Sequence, residues 1–412
     1  MSAHFKNMRS TELKKEIENA VLFALYRSPE PEFLKNISRW DEVCRFLISR
    51  KLAGRFFHRL QNSNQSLVPE SVYSELKQVY QLFAVKNQLF LKELERIWSY
   101  LEKEIDELMI FKGMGLIISG FYHLGERYQV DMDFLVNNFP REKLCSLVQE
   151  LGYLSVQHSD QFWWSEEHFL LKGSKGAGDL FSVFLEFHWD FKPINQTSGR
   201  ELVEALLSNQ ERIEREGRTY VIPTAKIQFY LSAIHGSALH PFDSSYFWVS
   251  LMDLSTIASK VSLNLDLILD LAKKQRLIEH LAVMIYLIGK KLGVEVPIRE
   301  RLQESLDQNE LIEKTAEKIW QAFLSPEPLS LANFSLLMAK TPWREKIKAL
   351  KEFAGISRGE KVEVENKSIT APRPQLLRAL RRRFQLLNNK EFISLVWQMA
   401  KFYRKTNFRP IL

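Results

Sequence analysis

The first hundred residues place apolar side chains at intervals of three and four, the spacing that lines one face of an α-helix. The repeat is clearest at Val21, Leu22, Leu25, Trp40, Val43, Phe46 and Leu47. Glycine, which weakens helix interiors, is nearly absent over the same stretch. The pattern therefore predicts a helical region over residues 1–104.

The pattern changes after Glu107 to one that is typical of strands. Residues 108–111 form a short apolar run that ends in Lys112-Gly113, as a buried strand does when it enters a turn. Residues 130–136 alternate in polarity and are rich in strand-forming side chains. Two strands are therefore expected here, separated by a short helical stretch.

Two further apolar runs, residues 169–171 and 181–189, flank a glycine-rich turn at residues 173–178. Strand-forming runs on either side of such a turn predict a β-hairpin. Residues 105–192 are therefore expected to form a small mixed αβ unit.

The helical spacing returns after Pro193 and continues to about Gly355, which predicts a helical domain over residues 193–355. Residues 356–412 are expected to form a polar linker followed by a basic helical tail. The predicted fold class is α+β, with a small mixed β-sheet core embedded between predominantly α-helical segments.

Composition is ordinary for a globular protein, with 45% apolar and 26% charged residues. The two cysteines, Cys44 and Cys145, lie in apolar helical settings without a metal motif, which argues against a disulfide framework. The first apolar run, residues 20–26, follows Glu16 and Glu18 rather than a basic segment, and the longest uncharged apolar run covers only residues 281–289. These features predict a cytoplasmic protein with no transmembrane segment.

The net charge of +7 is concentrated at one end of the chain. Residues 371–412 contain ten Lys and Arg and one acid, Glu391, whereas the other 370 residues contain 47 Lys and Arg and 49 acids. Any attraction to an anionic surface or an acidic partner therefore belongs to the tail. A solvated amphipathic helix packed on the domain is an equally good interpretation of its arginines, and RNA is a further candidate partner.

Asp131 and Asp133 carry the most informative chemistry. Alternate residues of a strand project from the same face, so these carboxylates should lie about 6–7 Å apart along it. Two such carboxylates repel each other unless a cation lies between them, and Mg²⁺ prefers hard oxygen ligands. A pair of metal ions held in this way can bind the attacking and leaving oxygens of a phosphoryl displacement.

Glu186 is the candidate for a third carboxylate, because it interrupts the apolar run of residues 183–189. Burying an unpaired acid is costly, so an acid in this position implies a metal or a partner. His188 lies two residues further on and shares its face. An Asp-x-Asp pair alone is most often a solvated strand end, but the ordered combination with Lys112-Gly113 and Glu186 is far more specific.

These motifs together resemble a known family. They are Phe111-Lys112-Gly113, Gly125-Glu126-Arg127, residues 131–136, Leu185-Glu186-Phe187-His188-Trp189, residues 235–240 and Asp253-Leu254. In the same order they are similar to the signature of the uncharacterised nucleotidyltransferase family of the DNA polymerase β-like superfamily. The resemblance covers roughly residues 35–300.

The resemblance implies a role for each matching residue. Asp131, Asp133 and Glu186 would hold the metal ions and form the catalytic centre. The implied nucleotide-binding set comprises Lys112, Gly113, Arg127 and His188. Gly113 would let the backbone approach the triphosphate, and Lys112 and Arg127 would contact phosphates or brace the site. The chain departs from the wider superfamily at Met114 and Gly115, where Gly-Gly or Gly-Ser is usual after the first strand.

The implied activity is transfer of an NMP group from an NTP, with ATP the expected nucleotide, to a hydroxyl acceptor with release of pyrophosphate. Two Mg²⁺ ions would serve as cofactors. The acceptor stays open among a sugar, another small molecule, a protein and RNA. The alternative is a catalytically silent nucleotide-binding or regulatory module that docks an acidic partner through its basic tail.

His235 and His240 form a weaker motif. On an α-helix they would lie about 140° apart, which excludes an i,i+4 zinc pair. They are expected either to pack near a helix end or to face the cleft.

Overall fold

The architecture is taken from a computed structural model of the chain. It describes residues 3–28, 30–62, 65–156, 166–171, 182–191, 199–240, 244–263, 266–296, 309–326, 398–399, 401–402 and 405. The predicted linker, the tail arginines and the glycine-rich turn at residues 173–178 lie outside the described residues.

The N-terminal region is helical, as its apolar spacing predicts. Its helices are α1 (Ala3–Leu25), α2 (Glu32–Lys35), α3 (Trp40–Ser49), α4 (Ala53–Gln61) and α5 (Glu70–Leu101). The apolar positions of α3, which include Val43, Phe46 and Leu47, are buried. Their burial at three- and four-residue spacing accounts for the stability of short helices that would not persist alone in water.

A five-stranded mixed sheet follows. Its elements are β1 (Leu108–Phe111), α6 (Lys112–Ile118), β2 (Asp131–Val136), α7 (Arg141–Glu150), β3 (Tyr153–Ser155), β4 (Glu166–Leu171) and β5 (Phe184–His188). The strand order is β1-β2-β5-β4-β3, with β2 and β5 parallel and the other neighbouring pairs antiparallel. The β4–β5 pairing confirms the predicted hairpin, and the sheet among helices confirms the α+β class.

The register of the sheet aligns the acidic positions. Asp133 pairs with Phe111 on one side and with Glu186 on the other, and His168 pairs with Glu186 across the next strand. Residues paired across neighbouring strands project from the same face. The register therefore brings carboxylates and a histidine from three strands to one row of the sheet.

Within its described segments, the part of the chain after the sheet is helical except for one hairpin. It comprises α8 (Arg200–Ser208), β6 (Gln210–Arg215), β7 (Arg218–Pro223), α9 (Ala225–Ile234), a π-turn (His235–Leu239), α10 (Ser244–Lys260), α11 (Asp266–Lys274), α12 (Ile278–Lys290) and α13 (Asn309–Phe323). No helix in the described segments is both long and apolar enough to cross a membrane.

The helical prediction is wrong over residues 210–223, where β6 and β7 pair antiparallel. Glu216 and Gly217 both have positive φ, 53° and 77°, as a two-residue type I′ turn requires. The edge strand β6 is charged and largely exposed, so its sequence lacks the apolar alternation that identifies a half-buried strand. The glycine turn is the signal that would have revealed the hairpin.

Two tail residues belong to the core. Met399 and Phe402 are fully buried, and the Phe402 ring lies 5.3 Å from the ring of His280. The Gln398 side-chain amide donates a hydrogen bond of 3.0 Å to Oγ1 of Thr315. At these two positions the tail therefore packs on the helical domain, as expected of an amphipathic helix.

Candidate active site

A cleft of about 450 Å³ opens between the sheet and the segment from α9 to α10. All seven residues singled out from the sequence line it: Lys112, Gly113, Arg127, Asp131, Asp133, Glu186 and His188. The carboxylates of β2 and β5 face the cleft together because the two strands are parallel and in register. The Lys and Arg side chains of the cleft can bind a polyanionic ligand, and its acidic side chains can bind metal ions.

Lys112 lies directly against the carboxylate row. Its Nζ is 2.6 Å from Oδ1 of Asp133, and both side chains are largely buried. The residue is the first of α6 and has a φ of 51°, in the left-handed region that side chains other than glycine seldom adopt. Such a conformation costs about 1 kcal/mol, which the packing and ion pair of Lys112 must offset.

His188 joins two of the carboxylates. Its Nε2 lies 3.4 Å from Oδ1 of Asp133 and 3.4 Å from Oε1 of Glu186. One ligand atom from each of these three residues lies within 4.8 Å of the others, as a metal-binding group requires. The closest ligand group therefore contains His188 in addition to two of the predicted acids, whereas Asp131 lies further out along β2.

His168 was not singled out from the sequence as a site residue. It lines the cleft, and its Nε2 lies 3.5 Å from Oε1 of Glu186. The sequence predicts the hairpin but not which residues of its two strands pair. The contact follows from the register, which pairs His168 with Glu186. The register depends on a turn whose sequence does not specify its length.

The electrostatics of the two aspartates differ. Burial, together with the neighbouring Asp133 and Glu186 carboxylates, raises the pKa of Asp131 to about 7. Burial would also raise the pKa of Asp133, but the ammonium of Lys112 and the hydrogen bond from His188 hold it well below its usual range. Asp133 is therefore ionised and paired, whereas at Asp131 burial and the repulsion from the two acids outweigh the attraction of Lys112 and Lys51.

The donor set fits divalent magnesium. Within the described segments, the Asp131 carboxylate makes no hydrogen bond or ion pair, although it is half-buried beside two other acids. A carboxylate in that position is stabilised by a cation bound at its oxygens. Asp131, Asp133 and Glu186 supply the hard oxygen ligands that Mg²⁺ prefers, and His188 is placed to orient two of them.

Arg127 braces the cleft wall. Its Nε and Nη2 donate hydrogen bonds of 2.8 Å to Oδ1 and Oδ2 of Asp253 on α10. The hydroxyl of Tyr122 donates to the same carboxylate at 2.7 Å. Both members of the Arg127–Asp253 pair are buried, and the bidentate geometry ties the loop before β2 to the helical wall. Of the two roles expected for Arg127, this contact supports the bracing one.

Gly113 is required by packing inside the site. A Cβ at this position would come within 1.9 Å of Oε1 of Gln129 and 2.3 Å of Nη1 of Arg127. The glycine thus admits two polar side chains that border the cleft. The contact of Gly113 with a triphosphate stays a prediction from the sequence.

Gly113→Ala is therefore expected to destabilise the protein by about 1–3 kcal/mol, because Gln129 and Arg127 must move. The free energy of unfolding from urea titration measures the loss. Shortening Gln129 in the double variant Gly113→Ala/Gln129→Ala should recover part of it. Equal losses in the two variants would show that the clash lies elsewhere.

The two histidines of the helical wall meet in the cleft. The backbone N–H of His240 donates to the carbonyl of His235 at 3.1 Å, an i,i+5 bond that closes a π-turn. The rings lie 4.7 Å apart, and the His240 ring stacks on Tyr246 at 3.9 Å. The expected separation of 140° is wrong, because it assumed an α-helix, whereas a π-turn brings residues five apart to neighbouring positions.

Burial, with the nearby charges of His240 and Lys112, holds the pKa of His235 well below its usual range. The ring is therefore neutral and can accept or donate one hydrogen bond in the cleft. Of the two alternatives for His235 and His240, the cleft-facing one describes their position.

A second group of possible ligands, His58, His123 and Glu126, lies away from this cleft. Glu126 is buried and already bound on both sides, by the guanidinium of Arg55 and by the backbone N–H of His123 at 2.7 Å. These contacts explain the buried acid without a metal ion.

Comparison with known proteins bears on the same segment. The sequence profile of an uncharacterised nucleotidyltransferase family matches residues 37–293, a range that contains every cleft residue described above. No curated protein matches the sequence. Since the family match spans more than half of the 412 residues, the chain belongs to this uncharacterised nucleotidyltransferase family.

Proposed function

We propose that the protein is a Mg²⁺-dependent enzyme that transfers an NMP group from an NTP to a hydroxyl acceptor and releases pyrophosphate. The observation that carries the proposal is the convergence of Asp131, Asp133 and Glu186 on one cleft, from two parallel strands in register. One buried and two half-buried carboxylates on a shared face are costly unless they bind cations. Membership of a nucleotidyltransferase family agrees with this chemistry.

In the proposed reaction the acceptor oxygen forms a bond to the α-phosphorus of the NTP. The bond from that phosphorus to the oxygen that bridges the α- and β-phosphates breaks, pyrophosphate leaves with that oxygen, and the hydroxyl proton leaves to water. Asp131, Asp133 and Glu186 would hold two Mg²⁺ ions. When bound, these ions neutralise phosphate charge and lower the pKa of the attacking hydroxyl.

The remaining residues of the site would prepare it. The Lys112 ammonium stabilises negative charge at Asp133 and is placed to do the same for a phosphate oxygen that enters the cleft. His188 fixes the orientation of the Asp133 and Glu186 carboxylates. Orientation of this kind lowers the reorganisation that the transition state would otherwise require.

The acceptor is selected by the wall opposite the carboxylates. That wall presents the neutral His235, His240 and the partly exposed Tyr246. Aromatic and imidazole rings can stack on a nucleobase or on one face of a sugar. ATP remains the expected nucleotide, and the acceptor class stays open among sugar, small molecule, protein and RNA.

A catalytically silent nucleotide-binding or regulatory module is the second candidate. One observation favours it: the Lys112 ammonium lies on Asp133 at 2.6 Å, at an oxygen that a metal ion would need. If this pairing persists in the presence of nucleotide, the site would bind without turnover. The two candidates therefore differ in whether Mg²⁺ is bound productively.

Incubation with each NTP labelled at the α-phosphate and a cell lysate tests the proposal. The enzyme is expected to move the label to a macromolecule or metabolite and to release unlabelled pyrophosphate, and EDTA should abolish both. Saturable nucleotide binding without label transfer, unchanged in Asp131→Asn/Asp133→Asn, would instead establish the silent module.

The basic tail is proposed to dock an anionic surface or acidic partner. The tail arginines lie outside the described residues. The docking proposal rests on the net charge of +9 in residues 371–412. Because Met399 and Phe402 are buried, deletion of the tail would disturb the core, so charge reversal is the better test. Replacing Arg378, Arg381, Arg382 and Arg383 by glutamate should abolish binding to anionic vesicles.

Wild-type binding should weaken steeply between 50 and 300 mM NaCl, because surface charges are screened beyond about 8 Å at physiological ionic strength. Vesicle sedimentation measures both effects. The reversal should leave the thermal midpoint unchanged, and binding that is insensitive to both salt and reversal would contradict the proposal.

A further inference from the structure

Lys51 lines the same cleft but comes from the N-terminal helices, outside the αβ core. It follows α3 in a helix-ending motif defined by two backbone hydrogen bonds. The Lys51 N–H donates to the carbonyl of Ile48 at 3.1 Å, and the Leu52 N–H donates to that of Leu47 at 2.8 Å. This pair of bonds is the Schellman arrangement.

The motif requires positive φ at the residue that follows the cap, and glycine is the usual occupant. Here Lys51 adopts a φ of 61°. A lysine at this position places its side chain at the cleft at the expense of backbone strain. Arg276 has a similar φ of 54° away from the cleft, so what distinguishes Lys51 is the position of its side chain.

The Lys51 ammonium is directed toward the acidic end of the cleft. It lies 5.5 Å from the centre of the Tyr128 ring, which also lines the cleft. Its charge is close enough to Asp131 to oppose the repulsion from the other carboxylates. The side chain is thus half-buried beside the proposed metal ligands rather than extended into solvent.

The charge of the ligand also calls for such a cation. An NTP has about four negative charges near neutral pH, since the last phosphate proton is lost near pH 6–7. Lys112 and Arg127 each engage a carboxylate of the protein, at 2.6 Å and 2.8 Å. Lys51 adds a third positive charge at the carboxylate end of the cleft, which increases the attraction for a polyphosphate.

We propose that Lys51 binds the triphosphate of the nucleotide substrate and so contributes to affinity for nucleotides that carry the β- and γ-phosphates. This inference rests on the proposed nucleotidyltransferase function. It extends the site beyond the αβ core, because α3 and the turn after it then form one wall of the phosphate pocket.

Arg276 provides a matched control. It follows α11 in the same motif, with Arg276 N–H to Lys273 carbonyl at 3.1 Å and Leu277 N–H to Ala272 carbonyl at 2.7 Å. Its φ is 54°, and it is exposed and does not line the cleft. The two positions therefore share backbone conformation and charge but differ in their distance from the site.

The test compares binding of α,β-methylene ATP and of AMP, each with Mg²⁺, by calorimetry on the full chain. Lys51→Met should weaken binding of the triphosphate analogue about tenfold or more and change AMP binding less than about twofold. Lys51→Arg should retain most of the affinity. Lys51→Gly should behave like Lys51→Met, whereas Arg276→Gly should bind as the wild type does.

Thermal unfolding of the same variants separates ligand binding from folding. Since both glycine variants relieve positive φ, their midpoints should lie within about 2 °C of the wild type or above it. Unchanged analogue binding in Lys51→Met, or equal losses for the analogue and AMP, would overturn the assignment of Lys51 alone. Absence of analogue binding in the wild type would overturn the proposed function with it.

Discussion

The double variant Asp131→Asn/Asp133→Asn is expected to lower nucleotidyl transfer by at least about a thousandfold, because an amide cannot replace a carboxylate as a Mg²⁺ ligand. Initial rates with saturating NTP and Mg²⁺ measure the loss. Glu186→Gln should show a loss of similar size, since Glu186 lies in register with Asp133 on the neighbouring strand. Transfer that falls less than tenfold in both variants would place the metal site elsewhere.

Asp131→Asn alone should raise the stability of the metal-free protein, although it removes a metal ligand. The Asp131 carboxyl ionises near pH 3.8 in the unfolded chain but only at about 7 in the folded protein. Stability therefore falls as pH rises between these values, and the loss, on the order of a few kcal/mol, is fully present above pH 7. Asparagine does not ionise, so the Asp131→Asn variant does not lose this stability as pH rises.

In EDTA, Asp131→Asn should consequently raise the thermal midpoint at pH 8, and the gain should disappear near pH 4. Saturating Mg²⁺ should stabilise the wild type and leave the variant unaffected. A lower midpoint for the variant at pH 8 in EDTA would mean that protein contacts already satisfy the carboxylate. The argument for a metal ion at Asp131 would then fail.

Asp253→Asn is expected to destabilise the protein by about 3–5 kcal/mol, because it leaves the buried guanidinium of Arg127 without its counter-charge. Asparagine keeps the volume and can still accept the Tyr122 hydroxyl, so the loss reports mainly on charge. The free energy of unfolding from urea titration measures it.

Glu95→Gln is the matched control, since it removes the partner of Arg218 from a pair whose side chains are 33% and 41% exposed. Its cost should be about 0–1 kcal/mol, as is usual at the surface. Comparable losses at Asp253 and Glu95 would contradict the bracing role of Arg127 and leave phosphate contact as its alternative.

The carboxylate site was predictable because it depends on local rules. Alternation along a strand places Asp131 and Asp133 on one face whatever surrounds them, and an acid within an apolar strand identifies Glu186. The predicted helices and the β4–β5 hairpin follow from the same short-range periodicities. Such features require no knowledge of which segments pack together.

The residues that complete the cleft were not predictable in this way. Lys51 lies in the turn after α3, far from the sheet in sequence, and only the tertiary packing brings it to the site. Asp253 is part of a motif of the family resemblance, but its pairing with Arg127 also depends on that packing. His168 depends on hairpin register, and the meeting of His235 with His240 depends on a single π-turn. The spacing of apolar residues along the sequence cannot distinguish that π-turn from an α-helix.

Mn²⁺ titration followed by electron paramagnetic resonance, in the presence of α,β-methylene ATP, tests the central claim most directly. Mn²⁺ takes the same oxygen ligands as Mg²⁺, and free and bound ions give distinct signals. The account predicts two tightly bound ions per chain in the wild type. In Asp131→Asn/Asp133→Asn it predicts only weakly bound ions or none. Two tightly bound ions retained in that variant would show that these carboxylates do not hold the metals.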